Sequence, residues 1–489
     1  RDVERSRGLG DVYKRQCEKV NHGGNSMKRK VLAVMLSAVM AIGLGACGNS
    51  GKDTSEKTKD TSTGNGEEIT LRYAGWGSNS EKKATQKVID KFEEEHPNIK
   101  VEYLHIPTDY NTKLTTMMAA GQEPDVAMVT GDTALQWATE GKLKNILEMA
   151  EGDEDFNIDD VLPQTVYWWD EGKACGINSA LEVYTLIYNT DSLKEAGIEV
   201  PTKAEDAWSW DEFVEVLQKL TIDQNGKNAA DPDFDETNIK QFGIYLPTGV
   251  GSTVVSSAVA MSGESFLSED GKTVNLAGTK TEEAIQKFAD LINKYHVAPN
   301  PAQSKNLPAG SVALQSQKTA MLWDGQWDLM ELIDNKVNFG VGILPKMYDK
   351  PMTIALGEPI VAFASTKHPK EAWELQKAFM NPDNIVGLIE GGLWMPVLKD
   401  WYENEDLVNQ WATGNDAHPD GYIDAVVNNA FENCMPALNY NIKNFPKIMD
   451  VLNPALDKVW LGEASAADAI AEVQDNMNGQ VDGTYTRPE

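Results

Sequence analysis

Residues 69–97 read ITLRYAGWGSNSEKKATQKVIDKFEEEHP. Ile69 to Ala74 alternates with period two, the pattern of a strand. Ala84, Val88, Ile89 and Phe92 then fall at helical spacing over Glu81 to His96, and Pro97 stops the helix. Val101, Tyr103 and His105 continue as a second strand. Asn111 to Ala120 reads as a helix ended by Gly121, and Asp125 to Val129 as a short apolar strand. The same rhythm returns at Gly243–Leu246, Glu282–Tyr295, Thr319–Leu322, Val337–Leu344 and Pro359–Ala364, and from Asp424 onward the pattern is helical with several loops. No fixed-period repeat is present. This alternation predicts an α/β fold with largely parallel sheet and helices on its faces.

One helix start is specified with unusual clarity. Ser209-Trp210-Asp211-Glu212 fits a capping box, in which the Ser209 hydroxyl accepts from the Glu212 amide and the Glu212 carboxylate reaches back. Trp208 and Phe213 occupy the flanking staple positions, which predicts a structural role for Trp208. The body from Ile69 to Val481 is too long for one simple core, so two or more lobes are expected.

Ahead of this body, Met27 to Cys47 reads MKRKVLAVMLSAVMAIGLGAC. Lys28, Arg29 and Lys30 form a positive start, and Val31 to Ala46 a short apolar run. Leu44-Gly45-Ala46-Cys47 closes it with small residues and a cysteine. This is the layout of a secretory signal peptide, and its ending resembles a bacterial lipobox, which implies lipidation of Cys47 as the first mature residue. The apolar run of about 16 residues is short of the ~20 that span a bilayer. Residues 1–26 lack apolar periodicity and are read as translated upstream sequence or a cloning or sequencing artefact. Residues 48–67 hold no large apolar side chain and read as a flexible linker, reaching at most ~70 Å if extended.

The chain carries 44 basic and 75 acidic side chains, a net charge of −31. Residues 1–47 hold nine of the basic and four of the acidic groups, so the chain after Cys47 has a net charge of −36. Such a field opposes nucleic acid and anionic surfaces, and weakly favours a neutral or cationic ligand; much of it serves solubility. Cys175 and Cys434 could pair in an exported protein or remain free buried thiols. No CxxC, HxxxH, GxSxG or P-loop pattern occurs, so no metal or cofactor site is expected. Asp231-Pro232-Asp233-Phe234-Asp235 opens like a calcium loop. Glu236 takes the required glycine position, though, and Phe242 that of the bidentate Glu, so an acidic surface loop is expected.

Several segments share an order with a known family. Residues 182–197, EVYTLIYNTDSLKEAG, precede 208–221, WSWDEFVEVLQKLT. Glu123-Pro124-Asp125-Val126 is similar to a "PDV" turn, Met321 to Trp327 (MLWDGQW) to a "GPW" strand-turn, Leu344-Pro345 to a "PLP" hinge region, and Pro369 to Met380 (PKEAWELQKAFM) to a "P-EAAWEF" helix. The ordered set, over most of residues 69–480, resembles the solute-binding proteins of ABC importers, in the sugar- and oligosaccharide-binding branch that includes maltose-binding protein. The resemblance implies two α/β lobes joined by a hinge, with ligand in the cleft. It places residues 69–184 and 347–398 in the first lobe, 188–344 and 400–483 in the second, and a crossing near Tyr184–Ile187.

Sugars are held by aromatic rings stacked on their apolar faces and by polar groups on their hydroxyls. Trp76 follows the first strand, where ligands of open α/β sheets bind, with Asn79 and Glu81 as polar neighbours; alternatively Glu81 only favours the helix start and Trp76 is partly core. Asp132 is a hydroxyl acceptor or the N-cap of a helix over Thr133 to Glu140. Trp327 matches the family's stacking tryptophan, with Asp324 and Gln326 beside it, while Trp323 alternates with Met321 as core. The resemblance makes Tyr184 cleft-facing. One of Trp168 and Trp169, just before the Glu171-Gly172-Lys173 turn, is expected to face the cleft, with the choice between them left open. Glu358, after Gly357, stands where the family has small residues, and so either puts a carboxylate in the pocket or stays uninvolved. Trp394 and Tyr440 complete the candidates. The expected function is a lipid-anchored, monomeric binding protein on the outer face of a bacterial membrane that delivers a sugar to ABC permease subunits and does no chemistry. A peptide, amino acid or polyamine ligand is the alternative, and a secreted glycoside hydrolase, needing two carboxyls ~5–10 Å apart, the more distant one.

Overall fold

The computed structural model describes residues 68–248, 251–308 and 310–488. The 1–26 extension, the signal segment, Cys47 and the linker up to residue 67 lie outside the described residues. In chain order the strands are β1 (Ile69–Gly75), β2 (Ile99–His105), β3 (Val126–Met128), β4 (Val166–Asp170), β5 (Lys173–Asn178), β6 (Glu182–Asn189), β7 (Ile222–Asp223), β8 (Ile239–Tyr245), β9 (Thr319–Gly325), β10 (Phe339–Gly342), β11 (Thr353–Leu356), β12 (Pro359–Ala362) and β13 (Cys434–Pro436). They form two sheets. The first has order β2-β1-β3-β12-β5-β4; the second runs β13-β11-β6-β9-β8-β7, with β10 also paired to β6.

The α/β reading holds, but the expectation of largely parallel sheets does not. β1 pairs in parallel with β2 and β3, as do β8 with β9 and β11 with β13; every other pairing is antiparallel. The physical reason lies in the connections. β4 and β5 are joined by a tight turn around Gly172, which enforces antiparallel pairing. β12 arrives from the second sheet and inserts between β3 and β5 against the direction of both.

The chain changes sheet at two short connections, 179–181 between β5 and β6 and 357–358 between β11 and β12, and again between β12 and β13. The first change thus comes before Tyr184–Ile187, which sits inside β6 paired with β9. Likewise β11, within the segment expected in the first lobe, pairs with β6 and β13 of the second sheet. Leu344-Pro345 lies between two strands of that same sheet.

Local chemistry explains the helix starts. Ser78 and Glu81 form a capping box at the head of helix Asn79–Glu95, and Ser209 and Glu212 another at helix Trp210–Leu220. Trp208 stacks on Phe213 with ring centres 6.2 Å apart, as the staple reading requires. Behind them Trp323 is core, 1% exposed, with its ring 5.2 Å from Phe288 and 6.2 Å from Phe213. On the first sheet Tyr73 of β1 stacks on Phe379 at 4.8 Å. Cys175 and Cys434 are both free thiols. The Asp231–Asp235 loop closes on itself, with Asp231 bound to Lys227 and Asp235 accepting from Thr237. No helix among the described residues is long and apolar enough to cross a membrane.

Two substitutions separate these contributions. Ser209→Ala is expected to cost about 1 kcal/mol through the lost cap, and Phe213→Ala about 3–5 kcal/mol through the cavity it leaves. Urea unfolding midpoints at constant m-value measure both.

Candidate functional site

A cleft of about 500 Å³ lies where the two short sheet-to-sheet connections meet. Trp76 follows β1, Thr130 and Asp132 follow β3, and Trp327 follows β9, so three strands deliver residues to it from their carboxyl ends. Of the residues singled out from sequence, Trp76, Glu81, Asp132, Tyr184, Trp327, Glu358 and Trp394 line this one cleft.

The aromatic rings are held edge-on. Trp76 is half-buried and meets Tyr110 at 4.8 Å in a T-shaped contact. Trp327 is also half-buried and meets Tyr184 at 5.3 Å with planes 85° apart. Such T-shaped contacts fix each indole against a tyrosine. Gly325 makes room for Trp327: a Cβ there would lie 2.1 Å from the indole Cζ3. Tyr184 bonds Thr253 through its hydroxyl at 3.2 Å.

Glu81 serves two purposes. Its Oε1 accepts from the Ser78 amide at 3.1 Å while the side chain lines the cleft, so the capping and site readings are both met by one residue. Asp132 is not the cap. Thr130 is the N-cap of helix Gly131–Thr139, two residues earlier than expected, and Asp132 sits inside the first turn accepting from Thr133 N–H at 2.8 Å.

Four other candidates are not among the residues lining this cleft. Asn79 is exposed at the start of its helix and does not line the cleft. The Gln326 amide is fully buried, donating to Leu181 C=O at 3.0 Å and accepting from Val183 N–H at 2.9 Å, so it anchors the entry to β6. Asp324 accepts from Gly325 N–H at 2.9 Å and lies outside the lining. Tyr440 is buried with its hydroxyl donating to Gly357 C=O at 3.0 Å, and its ring packs on Tyr167 at 4.5 Å; its neighbour Asn439 reaches the cleft instead. Trp168 and Trp169 do not line it either.

Glu182 is the residue that sequence reading missed. It opens β6 and lies two positions before Tyr184, hence on the same strand face. A lone carboxylate at the head of the apolar run VYTLIYN was the available signal. Asn111 and the hydroxyls of Ser252, Thr253 and Ser256 also line the cleft. Among the described residues, no group of His, Cys, Asp and Glu is arranged to hold a metal.

The carboxyls crowd one another. Burial, then the charge of Glu81, pushes Glu182 up to about 8. Burial, then Glu182 and Asp132, raises Glu358 well above the carboxylate range, though the Gly131 amide at its helix N-terminus pulls the other way. Burial raises Asp324 to about 6. Glu358 Oε2 is inaccessible and has no partner among the described residues. Gly357 sets this carboxyl in place. Its φ of +136° and a Cβ position 2.3 Å from Ala180 C=O leave no room for a side chain.

A family model described as bacterial extracellular solute-binding protein matches residues 76–386. The chain is 23% identical to a galactooligosaccharide-binding protein of Bacillus subtilis over 94% of this chain and 99% of the relative. It is 24% identical to a multiple sugar-binding protein of Streptococcus mutans over 71% and 78%. Among solved structures, an ABC substrate-binding protein from Listeria monocytogenes in complex with cycloalternan superposes with a TM-score of 0.69 at 22% identity, covering 84% of this chain and 99% of that one. The maltose/maltodextrin-binding domain from Bdellovibrio bacteriovorus bound to maltotriose gives 0.66 at 20% identity, covering 84% and 99%.

Glu182 binds more protons folded, with its value near 8, than unfolded, with its ordinary value of 4.5. Between those values stability therefore falls as pH rises, and Glu358 and Asp324 act in the same sense. The melting temperature of the unliganded protein is expected to drop from about pH 5 to pH 8. Glu182→Gln flattens that drop by at most about 1.4 kcal/mol per pH unit, read by calorimetry across the range.

Proposed function

The chain belongs to the bacterial extracellular solute-binding proteins, and from that premise we propose that it captures a sugar or oligosaccharide in the cleft beneath Trp76 and Trp327 and hands it to ABC permease subunits. The carrying observation is the pair of half-buried indoles in one cleft lining, each braced by a T-shaped contact with a tyrosine, Trp76 after β1 of the first sheet and Trp327 after β9 of the second. Rings so held stack on pyranose faces at little cost in side-chain entropy. Glu81, Asp132, Glu182 and Glu358 then receive sugar hydroxyls.

The two sheets serve as the lobes, with residues 179–181 and 357–358 as the hinge strands between them. The chain works as a monomer and as a binder without catalysis. Cys47 carries the lipid, residues 48–67 form the leash, and the body operates outside the cytoplasmic membrane. Names of relatives support the lipid anchor: the similar maltooligosaccharide proteins of Streptococcus pneumoniae are called lipoproteins.

Titration calorimetry against mono- and oligosaccharides tests this reading. Trp327→Ala and Trp76→Ala are each expected to weaken the best sugar by about tenfold or more, with melting curves establishing that each variant is folded, since both half-buried rings also pack against the core. Unchanged affinity in both variants, or no sugar binding by the intact protein, refutes it.

A further inference from the structure

The carboxylates in the cleft come from four separate places: Glu81 from helix Asn79–Glu95, Asp132 from helix Gly131–Thr139, Glu182 from β6, and Glu358 from the second sheet-to-sheet connection. Among the described residues that line the cleft there is no Lys, Arg or His. Just behind the lining, Asp324, Asp328 and Glu331 add further carboxyls from β9 and helix Asp328–Asp334, and burial pushes Asp324 and Asp328 up. The nearest group of opposite sense is His105, whose ring bonds Gly77 C=O at 2.9 Å and acts on Glu81 alone among these carboxyls. Glu358 Oε2, shut off from water, is left with no donor.

The lining offers neutral donors in Asn111, Asn439 and the hydroxyls of Ser179, Ser252, Thr253 and Ser256, but no cationic group to set against its four carboxyls. Ionised carboxylates are acceptors only, and here no cation stands among them. An ammonium group is the complement: three donors, no acceptor, and a positive charge that removes the mutual repulsion. Aromatic faces next to carboxylates favour the same group through the ring quadrupole, and Trp76, Trp327 and Trp394 share this lining.

We propose that the sugar taken by this cleft carries a protonated amino group, seated against Glu182 and Glu358 under the tryptophan rings. This rests on the sugar-capture reading above and narrows it to an amino-bearing, cationic class of sugar.

The test is titration calorimetry of the purified full chain near pH 6.5 with glucosamine oligomers, the N-acetylated oligomers of the same length, and neutral glucose oligomers. Spermidine and free amino acids are run alongside. The expected result is at least about tenfold tighter binding of the free-amine oligomer than of either neutral series. Binding in two buffers of different ionisation enthalpy is expected to show proton release, because the ammonium drives the raised carboxyls to ionise. Glu358→Gln and, independently, Glu182→Gln are each expected to remove the preference and the proton release, the free-amine oligomer losing at least about tenfold more affinity than the neutral oligomers lose; melting curves establish that each variant is folded. Neutral oligomers bound as tightly as the amine overturn this inference and leave the sugar reading standing. Spermidine or an amino acid bound in the absence of any sugar binding overturns both, as does binding of nothing in the panel.

Discussion

The carbonyl of Gly357 is the point on which the arrangement turns. It accepts from Tyr167 of β4 at 2.9 Å and from Tyr440, ahead of the long C-terminal helices, at 3.0 Å. Next to it Ser179 N–H donates to Glu358 C=O at 3.1 Å, and Asn178 Nδ2 to Leu356 C=O at 3.4 Å. Two chain crossings separated by about 180 residues are therefore tied together, and the tie contains a position only glycine can occupy. Both sheets are fixed relative to this knot, and the cleft opens directly beside it.

That placement has an electrostatic cost. Glu358 follows Gly357 and so is carried into a partly dry space already holding Glu182 and faced by Asp132. Like charges in a low-dielectric setting hold protons, and unpartnered acceptors there are costly. Such an expense persists where the ligand supplies what the protein leaves out. The aromatic contacts differ: each indole is braced by a T-shaped contact with one tyrosine and stays half-buried in the cleft lining.

Much of the site was legible from local rules. Trp76 was placed by the rule that ligands sit beyond strand carboxyl ends, Trp327 by the resemblance of its strand-turn to the family's, and Glu81 by its position beside Trp76 at a helix start. What local rules cannot see is how a polar side chain is spent. Gln326 and Tyr440 look in sequence like binding groups, yet both are consumed in holding the backbone of β6 and of Gly357, a demand created by strands remote in the chain. Glu182 was overlooked for the converse reason. It reads as the polar end of a strand, and only the arrival of Glu358 beside it turns it into part of a buried cluster.

The sequence by itself determined the elements: the periodicities of residues 69–129, the Ser209–Glu212 capping box with its Trp208–Phe213 staple, and the α/β class, because each depends on side chains within a few positions of one another. Strand direction, sheet membership and the meeting of four carboxyls were decided by tertiary structure. The insertion of β12 between β3 and β5, and the pairing of β11 with β6 and β13, join segments far apart in the chain. Long-range backbone pairing carries no local period, so it leaves no trace until the strands meet.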